Sequence, residues 1–206
     1  MKDGVCYIVG AGDAPQPLPI KKRDGDFIVA ADAGYLTLTR SGILPDAFVG
    51  DGDSLGFVPD IPDKKILPVV KDDTDTVAAV KLGFDRGYKK FVIYGALGGA
   101  RFSHSISNLQ TLLYIDERGG EGEIAGEGCL VKLLTEKNTP HRPGQKGGYI
   151  SFFAVAGDAS VSVSGAKYEV ERETLSPSFP LGVSNEPEED CEITVRSGKV
   201  IAVLEP

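Results

Sequence analysis

Nowhere in this chain of 206 residues does an apolar run approach the roughly twenty positions that a helix needs to cross a bilayer, so no membrane-spanning segment is expected. Positive charge is also in short supply. Against 30 Asp and Glu there are 22 Lys and Arg, a formal net charge of −8 that disfavours broad nucleic-acid binding, which depends on clustered basic side chains. Cys6, Cys129 and Cys191 are odd in number, far apart and without a CxxC pair. They give no sign of a disulfide framework or a zinc site, and they predict buried, reduced thiols in a cytoplasmic protein. His104 and His141 are the only histidines, and no spacing of nucleophile, histidine and acid suggests a triad.

What the chain does contain is arranged in two styles. Up to Asp116, short β-branched runs at 5–9, 27–31, 47–49, 66–70 and 91–94 alternate with helical patterns. One short helix is predicted over 35–40 and a stronger one over 76–86, with Val77, Val80 and Phe84 at helical spacing and Gly87 to end it. A third follows, with Ile106, Leu109 and Leu113 on its apolar face. This alternation predicts a mostly parallel sheet with helices on both faces. The polar, glycine-rich stretch 117–123 reads as a linker. After it come only strand-like segments (130–134, 149–153, 160–164, 192–196 and 200–204) separated by Gly and Pro turns, which predict a smaller all-β, sandwich-like domain. The expected division is an α/β domain over 1–124 and a β-rich domain over 125–206.

Three aspartate-bearing turns follow apolar runs of the first half: Ala31-Asp32-Ala33-Gly34, Gly50-Asp51-Gly52-Asp53-Ser54 and Lys71-Asp72-Asp73-Thr74-Asp75. On neighbouring parallel strands such turns meet at one sheet edge. Carboxylates crowded there repel one another unless a cation lies between them, so the pattern predicts a magnesium site and a phosphate-bearing ligand. Each turn also has a plainer explanation. Asp32 would serve as a helix cap, Asp51 to Ser54 as a solvated Asx turn, and one or two of Asp72 to Asp75 as first-turn residues favoured by the helix dipole. Lys71 adds a point charge for a phosphate oxygen. Gly95-Ala96-Leu97-Gly98-Gly99-Ala100-Arg101 precedes a helix, the setting in which backbone N–H groups accept phosphate, but it lacks the Gly-Lys-Ser/Thr ending of a P-loop. Gly10-Ala11-Gly12-Asp13 lacks a third glycine and is better read as a tight turn than as a dinucleotide fingerprint.

Taken in order, Pro45-Asp46, Gly50-Asp51-Gly52-Asp53-Ser54, Lys71-Asp72-Asp73-Thr74-Asp75, Gly95 to Gly99 and Leu181-Gly182-Val183-Ser184-Asn185-Glu186 resemble thiamine pyrophosphokinase over nearly the whole chain. The resemblance implies an α/β nucleotide- and metal-binding domain followed by a β-rich thiamine-binding domain. It implies transfer of a diphosphate from ATP to the hydroxyethyl group of thiamine, with Mg2+ required and AMP released. It assigns Asp51, Asp53 and Asp75 to the metal and the catalytic step, and Asp32, Lys71, Asp72, Thr74 and Arg101 to the nucleotide. His104, Ser184 and Asn185 fall to the substrate. It also implies a homodimer that shares its thiamine site between subunits. Two positions depart from the family pattern: Gly52 stands where phenylalanine is usual, and the GGRxDH motif becomes Gly98-Gly99-Ala100-Arg101-Phe102-Ser103-His104, with an extra alanine and a serine for the aspartate.

Two other readings compete. Asp51-Gly52-Asp53-Ser54 resembles the DxDx[TV] start of haloacid-dehalogenase-like phosphohydrolases, though two strands precede it here and those enzymes carry the motif on the first. The serine at 103 suggests a module that binds thiamine or nucleotide without turnover.

Overall fold

The apolar runs of the first half become neighbouring strands of one parallel sheet. The computed structural model describes residues 2–68, 73–144 and 146–206. The chain divides into two units, Met1–Glu127 and Gly128–Pro206. In the first, β1 (Val5–Val9), β2 (Phe27–Ala31), β3 (Ala47–Gly50), β4 (Asp63–Ile66), β5 (Lys90–Tyr94) and β6 (Glu121–Gly126) pair in the order β4-β3-β2-β1-β5-β6, every pairing parallel. α1 (Gly34–Arg40), α2 (Asp75–Asp85) and α3 (Phe102–Glu117) complete this unit.

The central strands are apolar throughout because both faces are covered. On one face, Val9, Ile28, Ala30, Phe48 and Tyr94 pack with Leu38 of α1. On the other, Gly83 of α2 leaves room for Phe91 and Cys6, while Leu112 and Ile115 of α3 lie over Gly122 of β6. Burial pushes the Cys6 thiol up to about 12, with the nearby Asp46 carboxylate adding to the effect. Cys191 is buried too, whereas Cys129 is half-buried.

Three expectations need correction. The fourth strand lies at Asp63–Ile66, ahead of the expected 66–70; an edge strand has no need of an apolar sequence, and its charged Asp-Lys-Lys start blunts the open edge. Val69 and Val70 fall outside the described residues. The stretch 117–123 is not a linker: it closes α3 and enters β6, whose residues pair with β5 from Lys90↔Glu121 onward. α3 buries Ser105, Asn108, Thr111, Leu112 and Ile115, while Ile106 is 45% exposed. The buried stripe of α3 is partly polar, so counting apolar residues alone turns the helix to the wrong face.

The second unit is a four-stranded antiparallel sheet in the order β7-β10-β8-β9. β7 spans Cys129–Thr135, β8 Tyr149–Ala166, β9 Val170–Leu175 and β10 Pro187–Glu205. Four expected strands are thus two long ones. β8 bends at Ala156 and Gly157 and β10 at Gly198, all with positive φ, and the β10–β8 register shifts on either side of Ser197. The halves of each long strand contribute to one core, with Ile150 and Phe152 joined by Val161 and Val163, and Ile193 by Val200 and Ala202. Among the described residues, no helix is long and apolar enough to cross a membrane.

Candidate active site

A cleft of about 570 Å³ opens at the C-terminal ends of the parallel strands, the edge where ligands of such sheets bind. Its wall includes Asp32, Asp51, Asp53, Asp73, Thr74, Asp75, Arg101, His104 and Asn108 together with Gly10, Gly12, Gly95, Gly98 and Gly99. The three acidic turns therefore do meet. Lys71 and Asp72 lie outside the described residues. Among the described residues the wall carries five carboxylates and one guanidinium, an imbalance that favours a cation as companion to any phosphate ligand.

Asp32 follows β2 with φ of 48°, in the left-handed region, and its N–H donates to the Val49 carbonyl at 2.8 Å. Its expected alternative role, helix capping, is absent: the cap position of α1 is Ala33, and no side chain caps it. The residue is 9% exposed, and its Oδ1 is buried without a hydrogen-bond partner among the described residues. A left-handed backbone and an oxygen with no partner among the described residues thus coincide at one residue of the cleft wall.

The segment after β3 is a turn, not extended backbone. Asp51 Oδ1 accepts from the Asp53 N–H at 3.1 Å, and Leu55 and Gly56 both donate back to the Gly52 carbonyl. This is the Asx turn of the plainer reading, yet both carboxylates border the cleft. After 68 the described chain resumes at Asp73, whose two oxygens each lie 2.7 Å from Lys81 Nζ. Thr74 caps α2: its Oγ1 accepts from the Val77 N–H at 3.2 Å, which sets Asp75 in the first turn.

On the opposite wall the loops after β1 and β5 are laced together. Gly10, Gly12 and Asp13 donate their N–H groups to the carbonyls of Tyr94, Gly95 and Leu97, each at 2.8 Å. Asp13 Oδ2 then accepts from the Gly99 N–H at 3.1 Å. A Cβ at Gly98 would collide with that carboxylate, and Gly98 has φ of 66°. These glycines thus serve backbone approach, and of the loop N–H groups expected to meet a phosphate, that of Gly99 is already occupied. Arg101 stands at the exposed start of α3, and His104 is half-buried one turn on.

Sequence reasoning missed Asp13 and Asn108. Asp13 is found only through a pairing 86 residues away. Asn108 was legible, because it lies four residues after His104 and therefore on the same side of the helix.

Ser184 and Asn185 lie in the second unit. Asn185 is buried and acts within the fold: its Oδ1 accepts from the N–H groups of Tyr168 and Glu186, and its Nδ2 donates to the Tyr168 carbonyl. Ser184 is exposed, with φ of 59°, and its N–H donates to Ser151 Oγ at 3.0 Å. Asn185 borders an apolar pocket of about 320 Å³ with Phe152, Tyr168, Leu181 and Val183.

The thiamin pyrophosphokinase catalytic-domain model matches residues 21–121, and the model of that enzyme's vitamin B1 binding domain matches residues 137–200. The chain belongs to the thiamine pyrophosphokinase family. No curated protein is detectably similar in sequence. Among solved structures, the thiamine pyrophosphokinase of Bacillus subtilis superposes with a TM-score of 0.85 at 20% identity, covering 98% of both chains. That of Geobacillus thermodenitrificans does so with 0.77 at 23% identity, covering 98% of this chain and 97% of the other. For the yeast thiamin pyrophosphokinase the TM-score is 0.71 at 15% identity, over 99% of this chain and 86% of the other. At these identities the likeness shows a shared fold.

The family's transferase chemistry gives the cleft a metal test. Its donors are carboxylate oxygens, the ligands a hard cation prefers, and Asp32 Oδ1 adds a further oxygen with no donor among the described residues. In donor chemistry the residues fit magnesium. Among the described residues, no three His, Cys, Asp or Glu side chains are grouped closely enough to form a ligand set.

Proposed function

We propose that the chain is a magnesium-dependent thiamine pyrophosphokinase that transfers a diphosphate group from ATP to thiamine and releases AMP. The observation that carries this reading is the cleft at the ends of the parallel strands, whose described carboxylates all fall inside the segment matched by the family's catalytic-domain model. In the reaction the thiamine hydroxyl oxygen bonds to the β-phosphorus, the bond from that phosphorus to the α–β bridging oxygen breaks, and AMP leaves with that oxygen.

Asp51, Asp53 and Asp75 would hold the magnesium ion. When bound, the ion neutralises charge on the phosphate oxygens. Asp32, Lys71, Asp72, Thr74 and Arg101 are assigned to the nucleotide, with Arg101 and the first turn of α3 offering positive charge to the phosphates. The hydroxyl proton needs an acceptor, and the carboxylates of Asp51, Asp53 and Asp75 are the groups suited to take it. His104 is assigned to the substrate. Ser184 meets the vitamin on the β unit, with Asn185 holding the segment in place.

Exposed Phe179, Leu181 and Val183, beside that segment, support a homodimer in which this surface faces a second copy. The serine at 103 removes a carboxylate that the family pattern places near the cleft, so a lowered rate is expected. Thiamine, ATP and magnesium supplied together should yield AMP and thiamine diphosphate. ADP as the product, or no turnover by folded protein, overturns the reading. Chelation of the metal should stop the reaction, and added magnesium should restore it.

A further inference from the structure

Asn108 is, with Thr76, a buried polar residue of the cleft that neither the quoted family motifs nor the reaction scheme uses. It is 6% exposed, and its Nδ2 donates to the Ala96 carbonyl at 2.7 Å. A carbonyl accepts and cannot donate, so the atom facing Ala96 is the amide nitrogen, and Oδ1 stands at the other end. Among the described residues none donates to that oxygen. Since Asn108 borders the cleft, the structure offers a ligand an acceptor of fixed position there.

The surroundings narrow the chemistry. Phosphate oxygens are acceptors and gain nothing from an amide oxygen. This side of the cleft therefore suits a neutral donor group, while Arg101 and the first turn of α3 suit the phosphates. We infer that Asn108 reads the nucleoside of the bound nucleotide, its Oδ1 accepting a hydrogen bond from a sugar hydroxyl or from the exocyclic amine of the base. Ala96 fixes the amide so that a ligand offering only acceptors is disfavoured. The inference rests on the nucleotide reading of the cleft.

The test is calorimetric binding to the full chain, with magnesium, of ATP, 2′-deoxy-ATP, 3′-deoxy-ATP, purine-riboside triphosphate and inorganic triphosphate. For the wild-type chain, one of the three modified nucleotides should bind about tenfold more weakly than ATP, and its identity distinguishes sugar from base. Asn108→Ala should bind ATP about tenfold more weakly, lose that discrimination and keep its affinity for inorganic triphosphate. Equal binding of all four nucleotides by the wild-type chain overturns the assignment, and this arm decides the matter even where the variant fails to fold. Parallel loss of ATP and triphosphate affinity in the variant also overturns it, leaving only a role in holding the Ala96 loop. Failure of the wild-type chain to bind ATP at all overturns the nucleotide reading and this assignment with it.

Discussion

Asp32 is a costly residue for the fold, since a buried carboxylate oxygen with no donor among the described residues and a left-handed backbone both cost free energy. Asn tolerates the left-handed region as well as Asp does and carries no charge. Asp32→Asn should raise stability by about 0.5–2 kcal/mol while weakening nucleotide binding, as read by chemical denaturation and calorimetry. A variant that is less stable than wild type would show instead that the carboxylate is structurally required. Asp51→Asn should abolish AMP release with stability unchanged or raised, because it relieves like-charge repulsion. Asp26 behaves in the opposite way. Burial would raise its pKa, but N–H groups of Val5 at 2.8 Å and Arg23 at 2.9 Å, with the Arg23 guanidinium, outweigh that and hold it below the usual carboxylate range. A carboxyl depressed on folding contributes stability above its unfolded value of about 3.9, and the contribution is lost as pH falls through the folded value. Asp26→Asn should therefore cost about 1–3 kcal/mol at neutral pH and flatten the acid limb of the stability profile measured by denaturant titration. An unchanged acid limb would count against this account.

At the scale of elements, strands with two covered faces are the readable ones. β1, β2, β3 and β5 fall on the expected runs because burial on both faces demands an unbroken apolar sequence. The charged edge strand β4 and the polar-faced α3 carry no such signature. The bends in β8 and β10 split each long strand into two apparent ones, since a hydrophobic alternation restarts after each break. Within the site, the aspartates were legible from their place after strands. The lacing of the β1 and β5 loops was not, because it joins residues whose partnership only the fold creates. Gly98→Ala tests that lacing: the added methyl meets the Asp13 carboxylate at a positive-φ position, and a loss of about 1–3 kcal/mol is expected in thermal or chemical denaturation. A neutral result would mean that the Asp13 contact yields readily.

For the molecule as a whole, a shared thiamine site would join the phosphate-handling unit of one copy to the vitamin-reading unit of another. Sedimentation should give twice the chain mass, and specific activity should fall on dilution below the dimer dissociation range. A fully active monomer would overturn the shared site. The carboxylate-rich cleft belongs to a chain of net charge −8, so the association rate with free ATP should rise with salt, whereas a cationic binder's would fall.

The lacing of the β1 and β5 loops has one more consequence, in time rather than in space. Three main-chain hydrogen bonds join these loops, so the amide protons of Gly10, Gly12 and Asp13 should be released to solvent in one concerted opening. Their hydrogen-exchange rates should be alike and should slow together when a nucleotide occupies the cleft.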